Sequence, residues 1–120
     1  MMVQFDSLAL DHSFAALADS TRRGVIVQLG TEEASVTVLA ERFNMTVTGM
    51  KKHIAVLERV GLVATEKVGR VRICRLGPHS LAAEARFIEQ VRASFEARFD
   101  ALDRVLDALK QEEEHGRPSD

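Results

Sequence analysis

Residues 44–62 read NMTVTGMKKHIAVLERVGL, and this stretch decides the fold of the 120-residue chain. Met50, Ile54 and Leu57 are spaced four and three residues apart, which predicts a helix with one apolar face. The same helix carries the only adjacent lysine pair in the chain, Lys51-Lys52. A helix that is apolar on one side and basic on the other is expected to rest on a protein core while it faces an anionic partner.

The segments around this helix complete a recognisable motif. A short helix is predicted over Val36–Phe43, and a two-residue turn separates it from the helix Val47–Val60, which Thr46 caps and Gly61 ends. Two short helices joined by a tight turn, the second one basic, form a helix-turn-helix over about residues 36–60.

The periodicity then changes to that of strands. Residues 62–68 and 71–76 are rich in β-branched side chains and flank Gly69-Arg70, which predicts a hairpin over about residues 62–76. A hairpin directly after a helix-turn-helix is the wing of a winged helix. The predicted fold is therefore mainly α with a small β-hairpin, a winged helix-turn-helix.

Two further helices are predicted before this motif. The first spans Ser7–Ala18, and the second reads TRRGVIVQL, with Asp19 or Ser20 as its cap and Gly30 as its stop. Residues 32–35 are predicted to be a plain connector to the helix-turn-helix.

A long last helix is predicted over about residues 78–110, where Pro78 suits its first turn. It carries an apolar stripe of heptad period, too long for so small a protein to bury by itself, so we expect it to form a homodimer together with the first helix. Residues 1–110 then form one DNA-binding and dimerisation domain, and residues 111–120 form a frayed polar tail. The residues expected at the dimer interface are Phe14, Leu81, Ile88, Val91, Phe95, Leu102 and Leu109.

The net charge of −2 hides a strong segregation of charge. Residues 42–75 contain eight Lys or Arg against two acids, whereas acids are in excess on both sides of this segment. Such segregation is typical of a protein with a polyanionic partner, although a chance cluster on a solvated surface would look the same. No apolar run reaches the length of a membrane helix, no secretory signal is visible, and Cys74 has no cysteine to pair with, so we expect a cytoplasmic protein without a membrane partner.

The exposed face of the basic helix offers the groups that DNA recognition needs. An α-helix fits the major groove of B-DNA, where its N-terminal residues reach base edges. Threonine hydroxyls and lysines can bond to phosphates or bases, and Val47 can touch a thymine methyl. Arg70 at the tip of the wing is best placed for a phosphate or minor-groove contact, whereas Arg75, far from the tip, is expected to be structural. The expected DNA contacts are Thr46, Val47, Thr48, Lys51, Lys52, Lys67, Arg70 and Arg72.

Other residue types bear on alternative functions. Gly49 costs the helix about 1 kcal/mol relative to alanine, which indicates close approach by the preceding helix or by the DNA backbone. His53 lies beside the apolar stripe. It has three alternative roles: a partly buried histidine bonded to backbone, a phosphate contact, or a ligand. The chain has no glycine-rich phosphate loop, no Cys/His pair at local spacing and no Gly-x-Ser-x-Gly motif, so its sequence favours no enzyme class.

The stretches FAALADSTRRGVIVQL, VTVLAERFNMTVTGMKKHIAVLERVGLV and GRVRICRL together resemble the ArsR/SmtB family of winged-helix repressors over about Phe14–Leu76. The resemblance implies a homodimer built by the first and last helices. It also implies binding to a palindromic operator and release when an inducer binds.

The chain departs from the family pattern in two places. Some family metal sensors carry cysteines where this chain has Ser35 and Thr37, and others use histidines on the last helix, which has none between Ser80 and Glu114. We therefore expect no metal and no cofactor, and Cys74 is expected to be a core residue. Many members also carry glutamine where this chain has Val47, so an operator cannot be transferred from relatives.

The sequence therefore predicts a sequence-specific, homodimeric transcriptional repressor that acts on double-stranded DNA, regulates its own operon and responds to an unidentified small molecule. The alternative is a winged-helix protein–protein interaction module without specific DNA binding, which the overall acidity of the chain favours.

Overall fold

The computed structural model describes residues 2–116, with side chains described for residues 8–114. The elements are α1 (Met2–Leu17), α2 (Ser20–Thr31), β1 (Ala34–Ser35), α3 (Val36–Arg42), α4 (Val47–Arg59), β2 (Val63–Val68), β3 (Val71–Leu76) and α5 (Ala82–Gly116). This order confirms the predicted winged helix-turn-helix with a long C-terminal helix. The chain divides into two compact units, one ending at Glu84, here called the winged-helix body, and one starting at Ala85.

The core of the winged-helix body is built from the apolar faces of its helices and from the sheet. Met50, Ile54 and Leu57 of α4 are at most 3% exposed, which confirms the predicted inner face of that helix. Leu39 of α3 is fully buried beside them in the same cluster. The other buried apolar residues are Ala16, Val25, Leu29, Ala34, Val36, Ala40, Leu62, Val63 and Cys74.

The helix-turn-helix has the predicted bounds to within one residue. Thr46 caps α4, because its hydroxyl oxygen accepts a hydrogen bond from the Gly49 N–H at 3.0 Å. The turn before it contains Asn44 in the left-handed region, at φ 54°, a conformation that asparagine tolerates better than most residues. Gly61 follows α4 with φ 78°, as expected for a glycine that ends a helix.

Two glycines show where backbones come close. A Cβ on Gly24 of α2 would lie 2.5 Å from Cε1 of Phe43, so the aromatic ring at the end of α3 packs directly on that helix. At Gly49 the nearest atoms to an added Cβ belong to Thr46 and Met45, at 3.1 and 3.3 Å. Of the two predicted alternatives, approach by the preceding helix is therefore wrong, because the neighbours are the cap and turn of its own helix. Approach by the DNA backbone stays a prediction.

The sheet has three antiparallel strands in the order β1-β3-β2. The hairpin pairs Thr65 with Cys74 and Lys67 with Arg72, and its tip is Gly69-Arg70, as predicted. The segment 32–35 is not a plain connector, because Ala34 pairs with Cys74 to form β1. A strand of two residues has no periodicity of its own, so the sequence pattern could not reveal it.

Some predicted helix bounds are wrong. The first helix begins at Met2 rather than Ser7, and α2 runs past Gly30 to Thr31. The last helix begins at Ala82 rather than Pro78, because Leu81 has φ 62° and so cannot belong to a right-handed helix.

The segment in front of α5 is fixed to the winged-helix body. Leu81 packs against the core of the body, so the prediction that it opens the stripe of the last helix is wrong. The N–H of His79 donates to the carbonyl oxygen of Gly61 at 3.0 Å, and that of Gly77 donates to the carbonyl oxygen of Leu62 at 2.9 Å. These bonds hold the chain in an extended path where the sequence pattern predicted a helix.

The long helix α5 continues through residues 111–116, where the sequence predicted a frayed tail; residues 117–120 lie outside the described part of the chain. Every residue from 85 to 114 is exposed. The exposed large apolar side chains of this segment are Phe87, Ile88, Val91, Phe95, Phe99, Leu102, Val105, Leu106 and Leu109. None of the helices described is long and apolar enough to cross a membrane.

Candidate nucleic-acid interface

The outer face of α4 carries two rows of side chains, each made of residues one helical turn apart. Val47 and Lys51 form one row, and Thr48 and Lys52 form the other, and all four residues are exposed. The sequence pattern predicts these residues on the outer side of the helix, and their exposure confirms that prediction. The hydroxyl of Thr46 serves as the cap of α4, which leaves its proton free to be donated elsewhere.

The first of these rows faces the wing across a groove. The hollow between the starts of α3 and α4 and the hairpin has a volume of about 340 Å³. Its lining residues are Ser35, Val36, Thr37, Val47, Lys51, Lys67, Arg70, Val71 and Arg72. Four of these nine side chains are cationic and none is a carboxylate. Elements that are separate in the sequence thus bring Lys51, Lys67, Arg70 and Arg72 together, while Thr48 and Lys52 lie on α4 outside this groove.

The wing holds two like charges directly opposite each other. Lys67 on β2 is the register partner of Arg72 on β3. Paired residues of antiparallel strands have their side chains on the same face of the sheet, and like charges in that position destabilise it. A bound anion would relieve this repulsion.

A chain of hydrogen bonds links the wing to the far end of α4. Nη1 of Arg72 donates to Oγ1 of Thr65 at 3.0 Å, and that hydroxyl donates to Oε2 of Glu58 at 2.8 Å. The guanidinium of Arg72 is therefore held in position by a residue of the same helix that carries Val47 and Lys51. Residue spacing does not reveal this link, because its three members become neighbours only through the strand register.

Arg75 lies in a different environment from the other basic residues of the wing. It forms ion pairs with Glu66 at 2.6 Å and with Glu33 at 3.4 Å. The charge of Arg75 is therefore paired with two carboxylates of the winged-helix body, in agreement with its predicted structural role.

His53 connects α4 to the end of α1. Its Nδ1 lies 3.2 Å from Nη1 of Arg22 and 3.8 Å from Oδ2 of Asp19. Arg22 also donates to the carbonyl oxygens of Ala16 and Ala15 at 2.6 and 3.1 Å, which caps the C-terminus of α1. The histidine is partly buried, as one of the predicted alternatives stated, but its described partners are side chains rather than backbone.

Asp19 completes this cluster as the N-cap of α2. The N–H of Arg22 donates to its carboxylate at 3.0 Å, and this bond lowers the pKa of Asp19, with the nearby His53 and Arg22 side chains adding to the effect. The carboxylate therefore stays ionised and keeps the cap of α2.

A second histidine contacts a buried carboxylate near the start of α5. Nε2 of His79 lies 2.6 Å from Oε2 of Glu84, which is only 3% exposed. Burial raises the pKa of this carboxyl, but the hydrogen bonds from His79, from backbone and from Ser13, together with the charge of His79, lower the pKa overall. This pair anchors the first turn of α5 to the segment that follows the wing, and the sequence analysis did not foresee it.

Donor groups for a metal ion are not grouped together. Among the residues that the structure describes, no cluster of three His, Cys, Asp or Glu side chains could hold one. The hydroxyl of Ser35 caps α3 by accepting from the Val38 N–H at 3.1 Å, and Thr37 is exposed in the groove. The thiol of Cys74 is fully buried, and burial raises its pKa to about 11, so it is a core residue as predicted.

Comparison with known proteins identifies the family to which this winged helix-turn-helix belongs. A family model described as a helix-turn-helix domain matches residues 17–66. The chain is 33% identical over 73 residues to the HTH-type transcriptional regulator Rv2034 of Mycobacterium tuberculosis, spanning 61% of this chain and 68% of that protein. It is 30% identical over 94 residues to the arsenical resistance operon repressor of Escherichia coli, spanning 78% of this chain and 80% of the repressor. The chain belongs to the ArsR/SmtB family.

A crystal structure of an ArsR family transcriptional regulator agrees with this placement. It superimposes with a TM-score of 0.68 at 36% identity and covers 75% of this chain and 93% of its own. The present ArsR/SmtB protein is a DNA-binding transcriptional regulator. The groove between α4 and the wing lies within the winged helix-turn-helix that the family shares.

Proposed function

We propose that this ArsR/SmtB protein is a homodimeric repressor that binds a palindromic operator, with α4 in the major groove and the wing on the adjacent backbone. The observation that carries the proposal is the groove in which Lys51, Lys67, Arg70 and Arg72 converge without a carboxylate. Phosphates supply most of the affinity in protein–DNA binding, and a concave, uniformly cationic surface next to a protruding helix suits them.

The exposed stripe of α5 supports the dimer. An isolated helix has little stability in water, and most helices of proteins are held by packing of an apolar face. In α5 the apolar side chains remain open to solvent, among them Phe99 at 63% and Leu102 at 58%. A second copy of the helix would cover them and would place two copies of α4 for two half-sites of one operator.

The proposals of repression and of an inducer rest on the family and on the relatives of the chain. The E. coli relative is named a repressor of an arsenical resistance operon. For this chain we propose repression of its own operon, relieved by an unidentified small molecule. The residues described provide no thiolate pair for an arsenical or a soft metal, since Cys74 is the single cysteine and is buried.

Selection of bound sequences from random DNA tests the proposal. We expect a two-fold symmetric consensus that also occurs upstream of the protein's own gene. Affinity for it should fall steeply with salt, because each neutralised phosphate contributes about −0.9 to the slope of log affinity against log salt. A protein that shows no preference over random DNA at any salt concentration would not be a specific repressor. A partner protein that competes for the groove would then favour the interaction-module alternative.

A further inference from the structure

Val47 is the one large apolar residue of α4 that does not serve the core. Met50, Ile54 and Leu57 of the same helix are at most 3% exposed, whereas Val47 is 38% exposed and lies outside the core cluster. It is also the first residue of the helix, directly after the Thr46 cap. A β-branched residue has a lower helix propensity than most residues, so helix formation does not explain a valine at this position.

The surroundings of Val47 make this apolar side chain more unusual. It lines the cationic groove beside Lys51, and Lys67 and Arg72 lie on the opposite wall. A surface that only bound phosphates would be served better by a hydroxyl or a cation at this position. The side chain of Val47 has no donor or acceptor, so it cannot form a hydrogen bond with a phosphate or with a polar base edge.

The major groove of DNA offers one apolar group that fits such a residue. Adenine, guanine and cytosine present donors and acceptors there, whereas thymine adds a C5-methyl group. A valine placed against a polar edge would remove water from that edge without replacing the hydrogen bond, which is unfavourable. A valine placed against the methyl buries apolar surface on both sides.

We propose that Val47 selects a thymine in each operator half-site by packing against its methyl group. The inference rests on the proposed function and adds the identity of one base to it. Lys51, one turn further along the same row, then binds a phosphate or a neighbouring guanine. Val47 thus recognises one base by packing, and Lys51 holds the helix on the DNA by its charge. The adjacent row, with Thr48 and Lys52, is free for polar contacts.

The experiment removes one methyl group at a time from the DNA. On the tightest sequence obtained by selection, each thymine is replaced by deoxyuridine, which keeps the base pair and loses only the C5-methyl. We expect one thymine per half-site at which the replacement weakens binding about fourfold, the value of one buried methyl group. In Val47→Ala protein the same replacement should change affinity less than twofold, because the packing partner is gone.

Val71→Ala is the matched control, since Val71 is also an exposed valine that lines the groove, but on the wing. It should keep the fourfold effect of deoxyuridine. If the protein prefers a defined operator but deoxyuridine weakens binding of Val47→Ala as much as binding of the wild type, the inference is overturned. The proposed function stands in that case. If no sequence is preferred over random DNA, the proposed function and this inference fail together. Thermal melts of Val47→Ala that match the wild type would show that the comparison is made between folded proteins.

Discussion

The winged-helix body and α5 use the same kind of apolar periodicity for opposite purposes. In the body, Met50 and Leu57 of α4 are fully buried, as is Leu39 of α3. In α5, Phe95 and Leu102 recur at heptad spacing, yet they are 54% and 58% exposed. The difference indicates that the body stabilises itself, while the stripe of α5 contributes free energy only when another surface covers it.

The strongest test of this contrast exchanges the same residue type in both regions. Leu57→Ala should lower the free energy of unfolding by about 3 kcal/mol, because it removes buried methyl groups and leaves a cavity. Leu102→Ala should leave the unfolding of the monomeric body nearly unchanged and weaken self-association instead. Urea unfolding at low protein concentration and analytical ultracentrifugation separate the two effects. Equal losses of stability in both variants would mean that α5 is part of the core.

A charge placed on the stripe should break the assembly without breaking the body. Phe95→Glu would bury two like charges in a symmetric interface, so we expect self-association to weaken at least about 100-fold. Ala93→Glu adds the same charge two residues away, on the polar side of the heptad pattern, and serves as the control. Sedimentation equilibrium gives both dissociation constants. If Phe95→Glu associates as tightly as Ala93→Glu, the stripe is not the interface.

A smaller effect is expected where the body positions its own DNA-binding residues. Thr65→Val removes the hydroxyl that connects Glu58 to Arg72 and keeps a similar shape, so operator affinity should fall about fivefold, the value of one hydrogen bond near 1 kcal/mol. Thr65→Ser retains the hydroxyl and should restore binding. Fluorescence anisotropy on the selected operator measures both. Equal operator affinity of the valine and serine variants would show that the Thr65 hydroxyl does not position Arg72 for DNA binding.

Another expected effect concerns the burial of the Cys74 thiol in the core. Burial raises the pKa of this thiol to about 11, with the charge of Glu58 adding to the shift, whereas a thiol in an unfolded chain has a pKa of about 8.5. At a pH between these two pKa values, the unfolded chain loses the thiol proton and the folded protein keeps it. The free energy of unfolding therefore falls as pH rises, and the contribution of the thiol is fully present below pH 8. Urea titrations at pH 8 and pH 10 should therefore show a larger decrease for the wild type than for Cys74→Ala. Identical decreases would contradict the burial of the thiol.

The parts of the fold that local pattern determines were predictable. The inner face of α4, the Thr46 cap and the hairpin around Gly69-Arg70 follow from spacing and residue type alone. The two-residue strand β1 and the left-handed Leu81 could not be predicted, because tertiary contacts outweigh local preference at both places.

The candidate site divides in the same way. Residue types and segregated charge were enough to predict the basic helix and wing, including Lys51 and Arg72. The convergence of those residues in one groove, and the bonds from Arg72 through Thr65 to Glu58, depend on strand register that residue spacing does not reveal.

The claim that α4 and the wing form the DNA-binding surface is tested most directly by reversing charge on α4. The Lys51→Glu, Lys52→Glu double variant is compared with the wild type and with Lys110→Glu, which changes an exposed lysine of α5. In fluorescence anisotropy on the selected operator, we predict at least about a 100-fold loss of affinity for the double variant and less than a twofold change for Lys110→Glu. Thermal melts and sedimentation should match the wild type for both. Undiminished operator binding by the folded double variant would contradict the assignment of this surface to DNA.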